Sequence, residues 1–493
     1  MDPRTVAFVT SEVRPFSKTG GLADVSAALP AWLRRQGHDV RVFTPLYSSI
    51  DVDAYEFEPV PEVSDVAVEM GERTHRFSLF RTVGAGSGVP VYFVHCPFLY
   101  DRPGLYTDDD DEPVRFALLS RAVLEACQRL QWSPDIFHCN DWQTGTLPLL
   151  LKTLYAWDRL FKESRAVFTI HNLGYAGVFP AAAVESCGLS LCRAQLDAEE
   201  LQRGRFGFLR TALRYSDRIT TVSPTYAKEI RTEPLGGSLA KLLERRADVL
   251  DGILNGVDTE TWNPRTDPVL RFRYSAKSLW RKEKNKEVLL TELGLPYEKD
   301  VPVIGMISRL AYQKGIDLLD DVMPGLLETR DFRLAVLGSG ESTYERLFVD
   351  LQRRFPEKVC FYRGYHTELA HWIEAGSDMF LMPSLYEPCG LNQMYSLLYG
   401  TLPIVRRTGG LADTVTLYDP ETGEGNGIVF DHYTAEGARW AIEAALDLYA
   451  DRKTWKTLMA RGMEEDFSWD VRGPEYLRVY EQARASAREE AQV

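Results

Sequence analysis

The strongest constraint on this chain is a short β-prone apolar run that recurs along its length and each time ends in polar residues. Residues 6–9, 39–44, 135–138, 166–170 and 218–222 take this form in the first half, and residues 302–307, 332–337, 379–382 and 402–405 in the second. Runs that are apolar on both faces suit a parallel sheet covered by helices. The stretches between them carry helical spacing. It is plainest over 22–36, where Leu22, Val25, Leu29 and Leu33 recur and Gly37 supplies the stop. Strand, loop, helix, strand is a βαβ unit, and sheets built from such units bind ligands beyond the C-terminal ends of their strands. The expected fold class is therefore α/β, with two doubly wound Rossmann-like domains and a boundary near 250–260. The tail from about 470 reads as charged helix, on its residues alone a cap for the second domain.

A length of 493 residues fits two or three domains. Lys and Arg number 57 against 71 Asp and Glu, a net charge of −14, which disfavours a nucleic-acid partner. An anionic ligand then needs its own basic pocket. Seven cysteines, none in a Cys-x-x-Cys pair, give no support to zinc or redox motifs and suit a reducing, cytoplasmic compartment. The closest pair, Cys187 and Cys192, reads as core or loop thiols. The opening apolar run is too short for a signal peptide, and no stretch approaches the ~20 apolar residues of a membrane span, so no membrane partner is expected. The acidic run at 108–112 follows Pro103-Gly104 and reads as a solvated loop rather than a metal-holding carboxylate pair.

Several motifs carry chemistry. Thr19-Gly-Gly-Leu-Ala-Asp24 recurs as Thr408-Gly-Gly-Leu-Ala-Asp413, each beside a basic residue, Lys18 or Arg407. The repeat is either shared helix-start chemistry or two related ligand-facing loops. Glycine pairs ahead of helix N-termini suit anions and favour the second reading. Arg309 and Lys314 follow the strand at 302–307, on what reads as a strand-to-helix loop where both can fold over one diphosphate. Glu387 precedes Pro388, a residue suited to a first helical turn, so that the amides of Cys389, Gly390 and Leu391 point at a crevice. His171-Asn172 and Asp141-Trp142 end two strands of the first half, a good place to meet a sugar. The Trp142 ring suits either a pyranose face or plain core.

These motifs together resemble the bacterial glycogen synthase and plant starch synthase family, from the first strand almost to the C-terminus. The residues concerned are 18–25, Asp-Trp-Gln-Thr-Gly at 141–145, His-Asn-Leu at 171–173, Asn-Gly-Val-Asp at 255–258, Ser-Arg-Leu and Gln-Lys-Gly within 308–315, Glu-Pro-Cys-Gly-Leu at 387–391 and 408–415. The resemblance implies a GT-B glycosyltransferase whose domains face a central cleft. It implies domains at 1–254 (acceptor side) and 255–469 (nucleotide-sugar side), with 470–493 returning to the first domain. The implied reaction moves glucose from ADP-glucose to the non-reducing 4-hydroxyl of an α-1,4-glucan with retention, using no cofactor and no metal. By position, Lys18, Gly20, Gly21, Asp24, Asn255 and Tyr365 join Arg309, Lys314 and residues 389–391 on the donor, with Tyr365 near the adenine. Glu387, His171, Lys314, Arg309 and Asp141 form the implied catalytic set, and Asp141, Trp142 and Asn172 meet the acceptor.

The chain departs from the family pattern at Ala176, Asn392 and Leu398, where Gln, Thr and Arg are usual. Tyr395 stands where related retaining transferases place a second Glu, as it does in glycogen synthases generally. Competing readings are UDP-glucose as donor, a sugar-nucleotide epimerase on a similar frame, phosphorolysis on pyridoxal phosphate, and a non-catalytic glucan binder. The last has no use for the full set of Lys18, Arg309, Lys314 and Glu387.

Overall fold

A computed structural model describes residues 3–83 and 87–490; the expected tail's last three residues lie outside it. The chain divides into two compact units. One runs to Gly256 and resumes at Trp469, and the other is Val257–Ser468.

The first unit is built on a ten-stranded sheet. Its parallel part runs Leu250–Gly252, Arg218–Thr221, Arg165–Ile170, Ile136–Asn140, Thr5–Val9, Asp39–Pro45, Pro90–His95. Thr5–Val9 is flanked by the strand that follows it on one side and by Ile136–Asn140 on the other, so the strand order reverses between Thr5–Val9 and Ile136–Asn140. Such a reversal opens a crevice at the strands' C-terminal ends. Arg73–Val83 pairs antiparallel with Pro90–His95 and carries Val66–Met70 and Glu58–Pro59 on its outer side. Val66–Met70 alternates buried and exposed residues. A search for doubly apolar runs passes over such one-faced strands.

Helix Gly21–Arg35 turns Leu22, Val25, Leu29, Trp32 and Leu33 into the core. The last helix, Trp469–Glu490, packs on this same unit. Trp32 Nε1 donates to Asp470 at 2.8 Å, and the His138 ring meets the Tyr480 hydroxyl at 2.7 Å. Gly473 is required for the approach, since a Cβ there would lie 2.4 Å from the Trp32 ring.

The second unit holds six parallel strands, in the order Val359–Arg363, Arg333–Gly340, Val303–Leu310, Met379–Met382, Leu402–Arg406, Ile428–Phe430. This is the doubly wound order, and its reversal falls between Val303–Leu310 and Met379–Met382. Both central strands are apolar and buried along most of their length. Their loops, at residues 311–315 and 383–391, therefore emerge side by side. Among the described residues no helix is long and apolar enough to cross a membrane.

Candidate active site

In the second unit the reversal point brings Lys314 and Glu387 together. Lys314 ends a single 3-10 turn, Tyr312–Lys314, and Gly315 follows with φ 71°. A Cβ at Gly315 would sit 2.0 Å from the Pro383 carbonyl, so only glycine lets these two loops touch. Lys314 Nζ donates to Glu387 Oε2 at 2.6 Å, and Ser384 Oγ donates to the same oxygen at 3.0 Å. An ammonium carries three donors, so this bond leaves the others for a ligand.

The loop carrying Glu387 is held by its carbonyl oxygens. Arg406 donates to those of Ser384 and Leu385, Gln313 to Tyr386, the Gly410 amide to Glu387 and Pro388, and Gln393 Nε2 to Cys389 and Gly390. The negative ends of successive peptide dipoles are thus turned into the protein, an arrangement that favours an anion on the other side. The helix after this loop starts at Asn392 rather than at Pro388. Residues 388–391 are therefore a bonded loop and not the expected first helical turn.

Arg309 is also displaced from expectation. The strand extends to Leu310, so Arg309 lies within it, in register with Ser339 and exposed, not on the loop. Tyr365 is 75% exposed, just after Gly364. The departures from the family pattern have local roles. Asn392 Nδ2 donates to the Ile307 carbonyl at 2.8 Å, tying its helix to the central strand. Leu398 packs against the cluster of Leu270, Tyr274, Ala375 and Tyr399. Tyr395 stacks on Trp262 at 4.0 Å, and the other face of Trp262 stacks on His371, whose ring bonds buried Asp267. Sequence reading did not find this column.

In the first unit Asp141 follows its strand with φ 56°. That sharp turn lets Oδ1 accept from the amides of His171 at 2.7 Å and Asn172 at 3.3 Å. Burial pushes the Asp141 carboxyl up to about 7, against the pull of those two amides and with a further rise from Glu12. Burial likewise takes His171 down to about 3. Asn255 is buried, and its Oδ1 accepts no hydrogen bond from the described residues.

Lys18 Nζ pairs with Asp24 at 2.7 Å, within its own motif. The loop between them hangs on Glu12, a residue sequence reading missed. Its carboxylate accepts from the Thr19 amide at 2.5 Å, the Thr19 hydroxyl at 2.6 Å, the Gly20 amide at 3.3 Å and the Tyr106 hydroxyl at 2.6 Å. The only sequence signal was a lone acid three residues after the first strand.

Three further expectations are corrected. Trp142 is 8% exposed, wedged among Phe116, Phe179 and Phe208, with Gly177 so close that a Cβ would lie 2.4 Å from its ring. Its faces are taken, so it is core and not a sugar platform. The two identical hexapeptides are not equivalent loops. Gly20 has nothing within 4 Å of a Cβ position, whereas Cβ atoms at Gly409 and Gly410 would lie 1.9 Å from the Glu387 carbonyl and 2.0 Å from that of Cys389. The second copy is a buttress under the Glu387 loop. The acidic run is not wholly solvated either: Arg102 bonds Asp109 and Asp111, and buried Glu112 bonds Arg115. Among the described residues no three His, Cys, Asp or Glu side chains are placed to hold a metal.

Comparison with known proteins bears on the whole chain. Residues 5–245 match the family model described as starch synthase catalytic domain, and residues 294–458 match glycosyl transferases group 1. A glycogen synthase of Koribacter versatilis is 46% identical over 97% of this chain and 98% of its own length. One from Desulforudis audaxviator is 43% identical over 99% and 98%. The solved catalytic domain of starch synthase IV from Arabidopsis thaliana, bound to ADP and acarbose, superposes with a TM-score of 0.90 at 34% identity, covering 98% of this chain and 100% of that one. Sucrose-phosphate synthase from Thermosynechococcus elongatus, at 17% identity and a TM-score of 0.60 over 98% of this chain and 100% of its own, shares the fold.

Proposed function

The chain belongs to the glycogen and starch synthase family of hexosyltransferases, with its GT-B fold, and we propose that it elongates an α-1,4-glucan by retaining transfer of glucose from ADP-glucose to the non-reducing 4-hydroxyl. The observation that carries the reading is the Lys314–Glu387 pair beside a loop whose carbonyls face inward. Departure of ADP leaves negative charge on its phosphate. A fixed ammonium and a loop of oriented dipoles stabilise that charge without having to reorganise. In the second unit, Arg309, Tyr365 and the backbone at 389–391 complete its part of the donor-binding set in this proposal; Lys18, Asp24, Asn255 and the backbone at Gly20 and Gly21, in the first unit, are assigned to the donor by the family resemblance. The Arabidopsis relative binds ADP, which supports adenosine as the nucleoside.

Asp141, His171 and Asn172 are assigned to the sugar and the incoming hydroxyl. Glu387 is engaged by Lys314 and Ser384, which suits an electrostatic role better than that of a free nucleophile. Transfer then proceeds on one face of the sugar, with the departing phosphate helping to take the acceptor proton. A trapped glycosyl-Glu387 adduct would overturn that route. All seven cysteines are free, which suits a cytoplasmic location.

The test is ADP release from ADP-glucose with and without glycogen, run beside UDP-glucose. Release that depends on glycogen is expected. Glycogen-independent release would refute the proposal, and faster turnover of UDP-glucose would reassign the donor.

A further inference from the structure

Consecutive residues at the end of one strand hold His171 from two sides. Asp141 takes its backbone amide, and Asn140 takes its ring. The Asn140 side chain is fully buried, and its Nδ2 donates to the carbonyl oxygens of Val9 at 3.0 Å and His138 at 3.2 Å. That nitrogen cannot exchange places with Oδ1, because the turned amide would set one oxygen against two others. Oδ1 is therefore the atom facing His171 Nε2, at 2.9 Å. An amide oxygen only accepts, so Nε2 carries the hydrogen.

Burial keeps the ring neutral at ordinary pH. A neutral imidazole protonated on Nε2 has a bare lone pair on Nδ1. The charged or titratable groups around it leave this assignment intact. Asp141 is spent on the amides of 171 and 172, and His138 is bonded on both ring nitrogens, to Tyr480 and Thr169.

We infer that Asn140 fixes His171 as the Nε2–H tautomer, so that Nδ1 accepts a hydrogen bond from a hydroxyl of the bound sugar. Asn140 is thus a positioning residue, acting through His171. The site then selects a sugar that offers a hydroxyl donor at that point and rejects one offering only acceptors there, such as a carboxylate. The sugar part rests on the proposed function; the tautomer does not.

The test uses the full chain labelled with [15N]histidine, the His171 signals being those lost in His171→Gln. Nitrogen–proton couplings are expected to place the hydrogen on Nε2. A hydrogen on Nδ1 overturns the inference whether or not the enzyme turns over. In Asn140→Ala, or in Asn140→Ser should the first variant fold poorly, both tautomers are expected; an unchanged Nε2–H signature overturns the role of Asn140.

In a second arm, monodeoxy analogues of ADP-glucose are compared by calorimetric binding and by kcat/KM. The native chain should disfavour one analogue by about tenfold or more. Asn140→Ala should narrow that one gap to about threefold or less. A gap that persists unchanged overturns the acceptor role. Failure of the function proposal would show separately, as native protein that releases no ADP.

Discussion

Lys314 Nζ lies 2.6 Å from Glu387 Oε2, joining residues 73 positions apart across the two central strands of one sheet. Each side chain is largely buried, at 18% and 7% exposure, so neither charge is well solvated without the other. A buried pair of this kind is a weak source of stability but a firm constraint on position. In the proposed reaction it holds one ammonium where a departing phosphate gains charge.

Lys314→Ala should lower kcat by roughly 2–4 kcal/mol in barrier, the range for removing one preorganised electrostatic group. Glucan affinity should change little. Adding Glu387→Gln should cost less than the two single effects combined, because the residues act as a unit. Steady-state kinetics on the three variants check this, and full turnover by Lys314→Ala would remove Lys314 from the site.

Asp141 predicts a pH effect. Its carboxyl sits at about 7 in the folded chain, chiefly through burial, against about 3.9 when unfolded. Between those values the native state binds a proton that the unfolded state has released, so this residue's contribution to stability declines as pH rises through the window. Asp141→Asn keeps an acceptor for both amides and carries no charge. Its melting temperature should therefore gain on the native chain's between about pH 4 and about pH 8. Parallel melting curves would contradict the assignment.

The repeated hexapeptide predicts unequal tolerance. Gly409 has φ 44° and its Cβ position lies 1.9 Å from the Glu387 carbonyl. Gly409→Ala should cost at least about 1–3 kcal/mol from backbone strain alone and should lower activity by shifting the Glu387 loop. Gly20 has extended backbone and open space, so Gly20→Ala should stay within about 0.5 kcal/mol. Urea unfolding of both variants gives the comparison, and equal losses would sink it.

Glu12→Ala would leave the Thr19 and Gly20 amides without the carboxylate that accepts from them. The loss expected is about 1–3 kcal/mol, as for a buried donor left without an acceptor. Hydrogen exchange at the Thr19 and Gly20 amides should quicken with it. Unchanged exchange at both would show that the Lys18 loop is held by something else.

Much of this was legible from the chain alone. The doubly apolar runs marked nine of the thirteen parallel strands to within a few residues and passed over Pro90–His95, Leu250–Gly252, Val359–Arg363 and Ile428–Phe430. The ends of two marked strands supplied Lys314 and Glu387 as candidates but not their pairing, which depends on which strands lie side by side. What escaped depended on what lies underneath. Six identical letters at 19–24 and 408–413 describe an open loop in one place and a buttress in the other, because neighbouring strands decide which side is covered. Trp142 offered no hint of the three phenylalanines around it, brought from residues 116, 179 and 208. Glu12 has partners at 19 and 106, and no local pattern connects an acid to a tyrosine that far away.

The return of Trp469–Glu490 to the first unit sets an order on synthesis. A ribosome releases Val257–Ser468 in full before it delivers Asp470 to Trp32 or Tyr480 to His138. The half translated first is thus the half finished last. Until that helix emerges, the surface that Trp32 and His138 share with it stands open to chaperones and proteases, and a premature stop codon ahead of Trp469 would damage the part of the unit made first.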